Sequence, residues 1–221
     1  MEKVVIKHFI EQFREGWVRE TKVRSFDELT GNLLEVGCGP QLTYFSRNAA
    51  IYGIDITPSV IKLFKKRYPW VHAIVGDAKW LPFRKRSFDV IVSTDLLHHL
   101  VGRSPRECQS KIRDAIKEMK YIMKPQGILL IQELLVRNAM FSYFTFYFTF
   151  LCAKLGIDIP ALDIHSCVIT FFLAKEMFKK MAPEEGFKIK EAISKDWMLK
   201  GRGYRRSILK VGKKWELRLT K

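Results

Sequence analysis

The chain has 221 residues, 48% of them hydrophobic and 28% charged, with a formal net charge of +16. That length supports one sizeable core and leaves little for two comfortable domains, so a single domain over 1–221 is expected. Four cysteines without metal-ligand spacing exclude a disulfide scaffold, give no support to a metal site, and point to a reducing, cytoplasmic setting.

Met1-Glu2-Lys3 runs into an amphipathic pattern rather than an apolar block, so no leader peptide is expected. Ile6, Phe9, Ile10, Phe13 and Trp17 share one face of a helix over 3–24. The first strand, Asn32–Val36, lies within Leu33-Leu-Glu-Val-Gly-Cys-Gly39. An apolar run that stops at two glycines separated by one small residue is how a buried parallel strand turns into a helix. Glycine there accepts unusual backbone angles and lets a ligand approach the main chain. The first βα turn of such sheets is a common nucleotide-binding position. A helix over Gln41–Asn48 is expected next, with free N–H groups at its start.

Ile51–Asp55 is a second apolar strand ending in a carboxylate. Thr57 and Pro58 open a helix over 58–68 with Ile61, Phe64 and Tyr68 on one face. Thr57 caps that helix, which leaves Asp55 for a ligand. A third strand, Val71–Asp77, ends Val-Gly-Asp and is followed by Ala78-Lys-Trp-Leu-Pro-Phe83. A fourth, Phe88–Ser93, leads into Thr94-Asp-Leu-Leu-His-His99. Ser104-Pro-Arg-Glu107 is a capping box with Pro at the first helical position, opening a helix to about Met123. Met123-Lys-Pro-Gln-Gly127 then turns into a fifth strand, Ile128–Glu133. Short apolar strands alternating with amphipathic helices imply a parallel sheet covered on both faces.

Asn138–Ala153 carries no charge and is apolar all round. It is shorter than the ~20 residues of a membrane-spanning helix. A second uncharged piece, Ile164–Ala174, follows. Three readings of this 138–174 insert stay open: a lid over a lipophilic acceptor, dimer or core packing, and contact with a membrane surface. Lys175–Ala182 reads as a helix and Gly186–Ile193 as a sixth strand. Trp197–Arg206 mixes basic residues with Gly201, Gly203 and Tyr204, a phosphate-contacting pattern or a flexible basic loop. Ser207–Val211 and Trp215–Leu219 suggest a closing antiparallel hairpin. Residues 175–221 carry 15 Lys/Arg against six Asp/Glu. That excess leaves open RNA, an anionic membrane or an anionic substrate as partner, beside a basic surface serving solubility alone. Asn and Gln, at three and five, are scarce, as expected of a thermophile.

The glycine turn, the strand-end acids, Gly76-Asp-Ala78, Leu81-Pro-Phe83, Ser87-Phe-Asp89, Leu97-His-His99 and Met123-Lys-Pro-Gln-Gly127 together resemble class I S-adenosylmethionine-dependent methyltransferases. The nearest group is the one that includes quinone-biosynthesis methyltransferases. Over roughly Gly31–Glu133 the resemblance implies a doubly wound, mostly parallel seven-stranded sheet of Rossmann-like type. An antiparallel C-terminal strand and a helical insert after strand 5 belong to the same expectation. S-adenosylmethionine is the implied cofactor, with no metal. Gly37, Cys38 and Gly39, with Glu35 just before them, are implied to form its loop. Asp55 would accept the ribose hydroxyls with Ile56 beside it, Asp77 and Ala78 would read the adenine, and Ser93 would close the site. His98, or His99, would lie near the methyl group, with His98 the catalytic candidate. Pro40 and Gln41 stand where the family usually has a further glycine. Leu42 stands where a nicotinamide-binding Gly-x-Gly-x-x-Gly has its third glycine. The implied function is methyl transfer to a small lipophilic or aromatic acceptor. An RNA methyltransferase and a non-catalytic cofactor-binding regulator remain as alternatives, and a homodimer remains open.

Overall fold

The computed structural model describes residues 24–25, 30–159, 164–195 and 214–221. Its strands are β1 (Arg24–Ser25), β2 (Gly31–Val36), β3 (Tyr44–Phe45), β4 (Ala49–Asp55), β5 (His72–Val75), β6 (Phe88–Thr94), β7 (Met123–Leu134), β8 (Lys188–Lys195) and β9 (Lys214–Thr220). Its α-helices are α1 (Pro58–Arg67), α2 (Pro105–Ile122), α3 (Ala139–Leu155) and α4 (Lys175–Glu184). Seven strands form one sheet in the order β5-β4-β2-β6-β7-β9-β8, and β1 pairs separately with β3. The β2–β4, β2–β6 and β4–β5 pairs are parallel, and β8–β9 is antiparallel. This is the expected doubly wound, mostly parallel seven-stranded arrangement with an antiparallel C-terminal strand.

The chain falls into two compact units. One holds the described residues up to Thr94 with Ala115–Leu130 and Lys221; the other holds Asp95–Asp114 and the described residues of Ile131–Thr220. In the first unit, Leu33, Leu34 and Val36 of β2 and Val90, Ile91 and Val92 of β6 are all buried. Strands covered on both faces read as continuous apolar runs for this reason. Phe64 of α1 packs with Leu33, Ile51, Tyr44 and Leu42 in one cluster. A Cβ on Gly53 would lie 2.7 Å from a ring carbon of that buried Phe64 and 3.1 Å from the Cys38 sulfur. Gly53→Ala is therefore expected to destabilise the fold by about 1–3 kcal/mol. Urea unfolding would read this as a lower midpoint with an unchanged slope.

In the second unit, α2 starts as expected: the Ser104 hydroxyl accepts from the Glu107 N–H at 3.2 Å. The Glu107 carboxylate reaches back one residue further than in the usual box, to the Arg103 N–H at 2.8 Å. The α3 N-terminus is capped by Asn138, and Gly156 closes its far end in the left-handed region at φ 67. The core around it includes Phe146, Phe171, Phe178 and Met181.

Four expectations are corrected. Residues 41–48 form no helix: they bend and give strand β3, because buried Glu35 takes the Thr43 N–H at 2.9 Å and the Thr43 hydroxyl, holding the chain open. Strand β7 begins at Met123 rather than Ile128. There the Arg86 and Ser87 N–H groups bond Tyr121 O and Ile122 O, and Lys124 is held by Asp89 at 2.8 and 2.9 Å, so the Lys-Pro-Gln-Gly stretch stays extended. Thr57 makes no side-chain cap for α1. The antiparallel partner of the last strand is β8, Ser194 facing Trp215 and Lys188 facing Thr220. The expected strand 207–211 and the basic stretch 197–206 lie outside the described residues. So does the helix over 3–24, save Arg24, which opens β1.

Candidate cofactor site

Strand register brings the predicted residues to one end of the first unit. Val36, Ile54 and Ser93 stand side by side on β2, β4 and β6, and Asp55 pairs with Val75 of β5. Just past this row, the Gly37 and Cys38 N–H groups both donate to Ile54 O, at 2.8 and 3.1 Å. Gly37 and Gly39 adopt φ of 69 and 55, the left-handed region that glycine enters without strain. A Cβ on Gly39 would meet nothing within 4 Å, so open space lies against the main chain there.

Asp55 is fastened to this turn. One carboxylate oxygen accepts the Gly39 N–H at 3.1 Å and the other the Thr57 N–H at 2.9 Å. It is thus not left unused by the start of the helix, as expected from Thr57 capping: Asp55 itself takes the Thr57 N–H. Each oxygen keeps a further lone pair, enough for two vicinal hydroxyl donors. Burial raises its pKa from the ordinary carboxylate value, against the backbone N–H bonds that lower it. Gly76 N–H donates to Asp55 O at 2.9 Å, which brings Asp77 next to Asp55. Asp77 shapes its own turn: its carboxylate accepts the Lys79 N–H at 2.9 Å and pairs with the Lys79 ammonium at 3.1 Å. Ala78 is buried behind it and Ile56 is an exposed apolar side chain beside Asp55.

Two of the candidate residues point inward. Glu35 is 1% exposed and bonds Thr43, and burial pushes its pKa up to about 7. Cys38 is buried in the core, where burial and the charges of Asp55 and Glu35 push its thiol far up. Both support the loop from beneath. Ser93 is also 1% exposed, and its hydroxyl oxygen has no hydrogen-bond partner, nor has that of Thr94 next to it. A buried orphan hydroxyl beside an open glycine turn is what a polar ligand would complete.

His98 lies in the second unit. Its Nδ1 is 2.6 Å from Glu133 Oε1, both buried, and Glu133 Oε2 accepts the Leu97 N–H at 2.7 Å. The His98 ring stacks on Phe172 at 5.0 Å and tilts against exposed His99 at 4.1 Å. Glu133 was missed as a site residue, although an apolar strand ending in an acid is the signal that singled out Asp55. Glu118, which accepts the Leu81 N–H at 3.0 Å and ties down the stretch after Asp77, carries no such signal. Among the described residues no group of three or more His, Cys, Asp or Glu is placed to hold a metal.

Parallel sheet, glycine turn and paired strand-end acids define a nucleotide-cofactor fold of the methyltransferase type. Residues 34–131 match the methyltransferase domain family. The chain is 28% identical over 166 residues to a demethylmenaquinone methyltransferase of Thermotoga maritima, covering 71% of this chain and 69% of that protein. It is 31% identical over 113 residues to the phthiotriol/phenolphthiotriol dimycocerosates methyltransferase of Mycobacterium leprae, covering 48% of this chain and 38% of that one. The match to that relative thus spans well under half of its length. A solved SAM-dependent methyltransferase of Methanosarcina mazei superposes with a TM-score of 0.60 at 18% identity, covering 95% of this chain and 96% of that one. Over residues 34–131 the chain thus carries a methyltransferase-domain pattern, and its fold is that of solved S-adenosylmethionine-dependent methyltransferases.

Proposed function

We propose that this protein moves the methyl group of S-adenosylmethionine to a small lipophilic or aromatic acceptor. The observation that carries the cofactor half is Asp55, pinned by the Gly39 and Thr57 N–H groups over an open glycine turn. Asp55 would hold the ribose, Asp77 and Ala78 the adenine with Ile56 packed against it, and Gly37, Gly39 and Ser93 the remaining polar edge. Glu35 and Cys38 would position that loop without touching the ligand. The cofactor supplies an activated sulfonium methyl, so the protein's share is to orient it, exclude water and handle one proton. The lipophilic acceptor is supported by the uncharged, aromatic-rich Asn138–Ala153 stretch and by the two relatives above, whose names specify lipid-like acceptors. Radiolabelled methyl transfer to a cell extract, sorted into lipid, RNA and protein fractions, tests this. Label in the lipid fraction is expected. Label in RNA favours the basic C-terminal third as the acceptor surface, and no label leaves a cofactor-binding regulator.

His98 is the residue we assign to take the acceptor's proton. Glu133 fixes its ring through Nδ1 and would stabilise the imidazolium formed. His98→Asn is expected to lower kcat by about 10²–10⁴-fold with S-adenosylmethionine affinity unchanged. Glu133→Gln, which removes the anion facing His98 Nδ1, is expected to lower kcat by less than His98→Asn does, with S-adenosylmethionine affinity unchanged. An unchanged kcat in His98→Asn overturns the assignment.

A further inference from the structure

Helix α3 is built inside out. Its buried face carries the small hydroxyl residues Ser142, Thr145 and Thr149, together with Phe146 and Cys152. The Ser142 hydroxyl donates to Phe172 O, and Thr145 Oγ1 donates to Phe141 O and Ser142 O at 2.9 and 3.0 Å. Thr149 Oγ1 donates to Thr145 O at 2.9 Å and accepts the Thr170 N–H at 3.3 Å. The hydroxyls are thus used up by the protein. Facing solvent instead are Met140, Tyr143, Phe144, Tyr147, Leu151 and Leu155, with Met140 65% and Tyr147 58% exposed. Spacings of three and four put them on one stripe, ~22 Å long at 1.5 Å per residue. A surface helix ordinarily shows the reverse polarity, and so large an apolar patch marks an interaction site.

We infer that this stripe docks on the surface of an anionic lipid bilayer. Charge decides the occupant. The chain carries +16, so two copies meeting on this face would repel, whereas an anionic leaflet attracts it. The helix carries no charge from Asn138 to Ala153 and is bracketed by exposed Arg137 and Lys154, cations able to reach headgroups while the rings sink in. Phe and Tyr are the side chains suited to that boundary, apolar in body with a polar tip on Tyr. No described helix is long and apolar enough to cross a membrane, so the contact is one of lying on the surface. Docking stands on the helix and the chain's charge, without the proposed reaction. It also deepens the proposed function, since it would bring the protein to an acceptor dissolved in lipid.

Co-sedimentation with vesicles of phosphatidylcholine and phosphatidylglycerol (1:1) tests it, with pure phosphatidylcholine vesicles in parallel. The full chain is expected to pellet with the anionic vesicles at least tenfold more than with the neutral ones. Phe144→Ser/Tyr147→Ser/Leu151→Ser is expected to lose at least tenfold of that partition at an unchanged melting temperature. Tyr147→Asp alone is the second variant should the triple one fail to fold. The inference is overturned if the unaltered chain stays in the supernatant, if neutral vesicles bind it equally, or if the variants pellet undiminished. It is also overturned if light scattering finds a dimer that the variants dissociate, or if deleting residues 1–23 is needed before the stripe binds. None of these readouts uses methyl transfer or cofactor binding, so failure here leaves the proposed reaction standing, and the reverse.

Discussion

Asp55→Ala is expected to weaken S-adenosylmethionine binding by at least about a hundredfold. In the proposed ribose contact two hydroxyl-to-carboxylate hydrogen bonds would be lost, each worth ~1.5–3 kcal/mol when the acceptor is charged. A second effect rides on the first. The Gly39 and Thr57 N–H groups lose their acceptor, so the glycine turn and the start of α1 loosen as well. Asp55→Asn divides both effects. The amide oxygen can accept only one of the Gly39 and Thr57 N–H groups and its NH₂ faces the other, so Asn loses one backbone bond and half of the ribose contact where Ala loses all of both. Titration calorimetry should therefore rank the affinities as unaltered chain, then Asn, then Ala, with melting lowered chiefly in Ala. Equal affinity for the unaltered chain and the Asn variant removes Asp55 from the ribose.

The first unit was legible in the sequence because its strands are buried on both faces. Leu33–Val36, Ile51–Ile54 and Val90–Val92 announce themselves as apolar runs, and the glycine after the first and Asp55 after the second mark the strand tips at which the sequence places a ligand. What escaped was decided by contacts distant in the chain. Residues 41–48 have no feature that forbids a helix strongly enough; Glu35 claims Thr43, eight residues further on, and settles the matter. The pairing of β8 with β9 joins stretches separated by residues 196–213, and no local pattern distinguishes it from a pairing with 207–211. Helix α3 failed to show a face because hydropathy was the wrong measure. Its buried side is chosen by small volume and hydroxyl groups able to bond back to the helix carbonyls, which leaves the rings outside.

Glu35 should make stability fall as pH rises, opposite to the usual behaviour of a carboxylate paired in the fold. Burial is the larger cause and raises its pKa from 4.5 to about 7, the Thr43 bonds lowering it only partly. The folded chain therefore holds this proton more tightly than the unfolded one. The contribution is complete below about pH 4.5 and is lost progressively as pH climbs through 7, where the fold must either keep a buried charge or give up the Thr43 contact. A shift of this size corresponds to about 3 kcal/mol. Glu35→Gln keeps the shape, an oxygen for the Thr43 N–H and a donor for the Thr43 hydroxyl, and cannot ionise. Its melting temperature should match that of the unaltered chain near pH 4.5 and exceed it by several degrees at pH 8. Both curves running parallel across that range would mean that Glu35 is ionised in the fold, and that the bend after the glycine turn is held by a charge rather than by a neutral hydrogen-bonded pair.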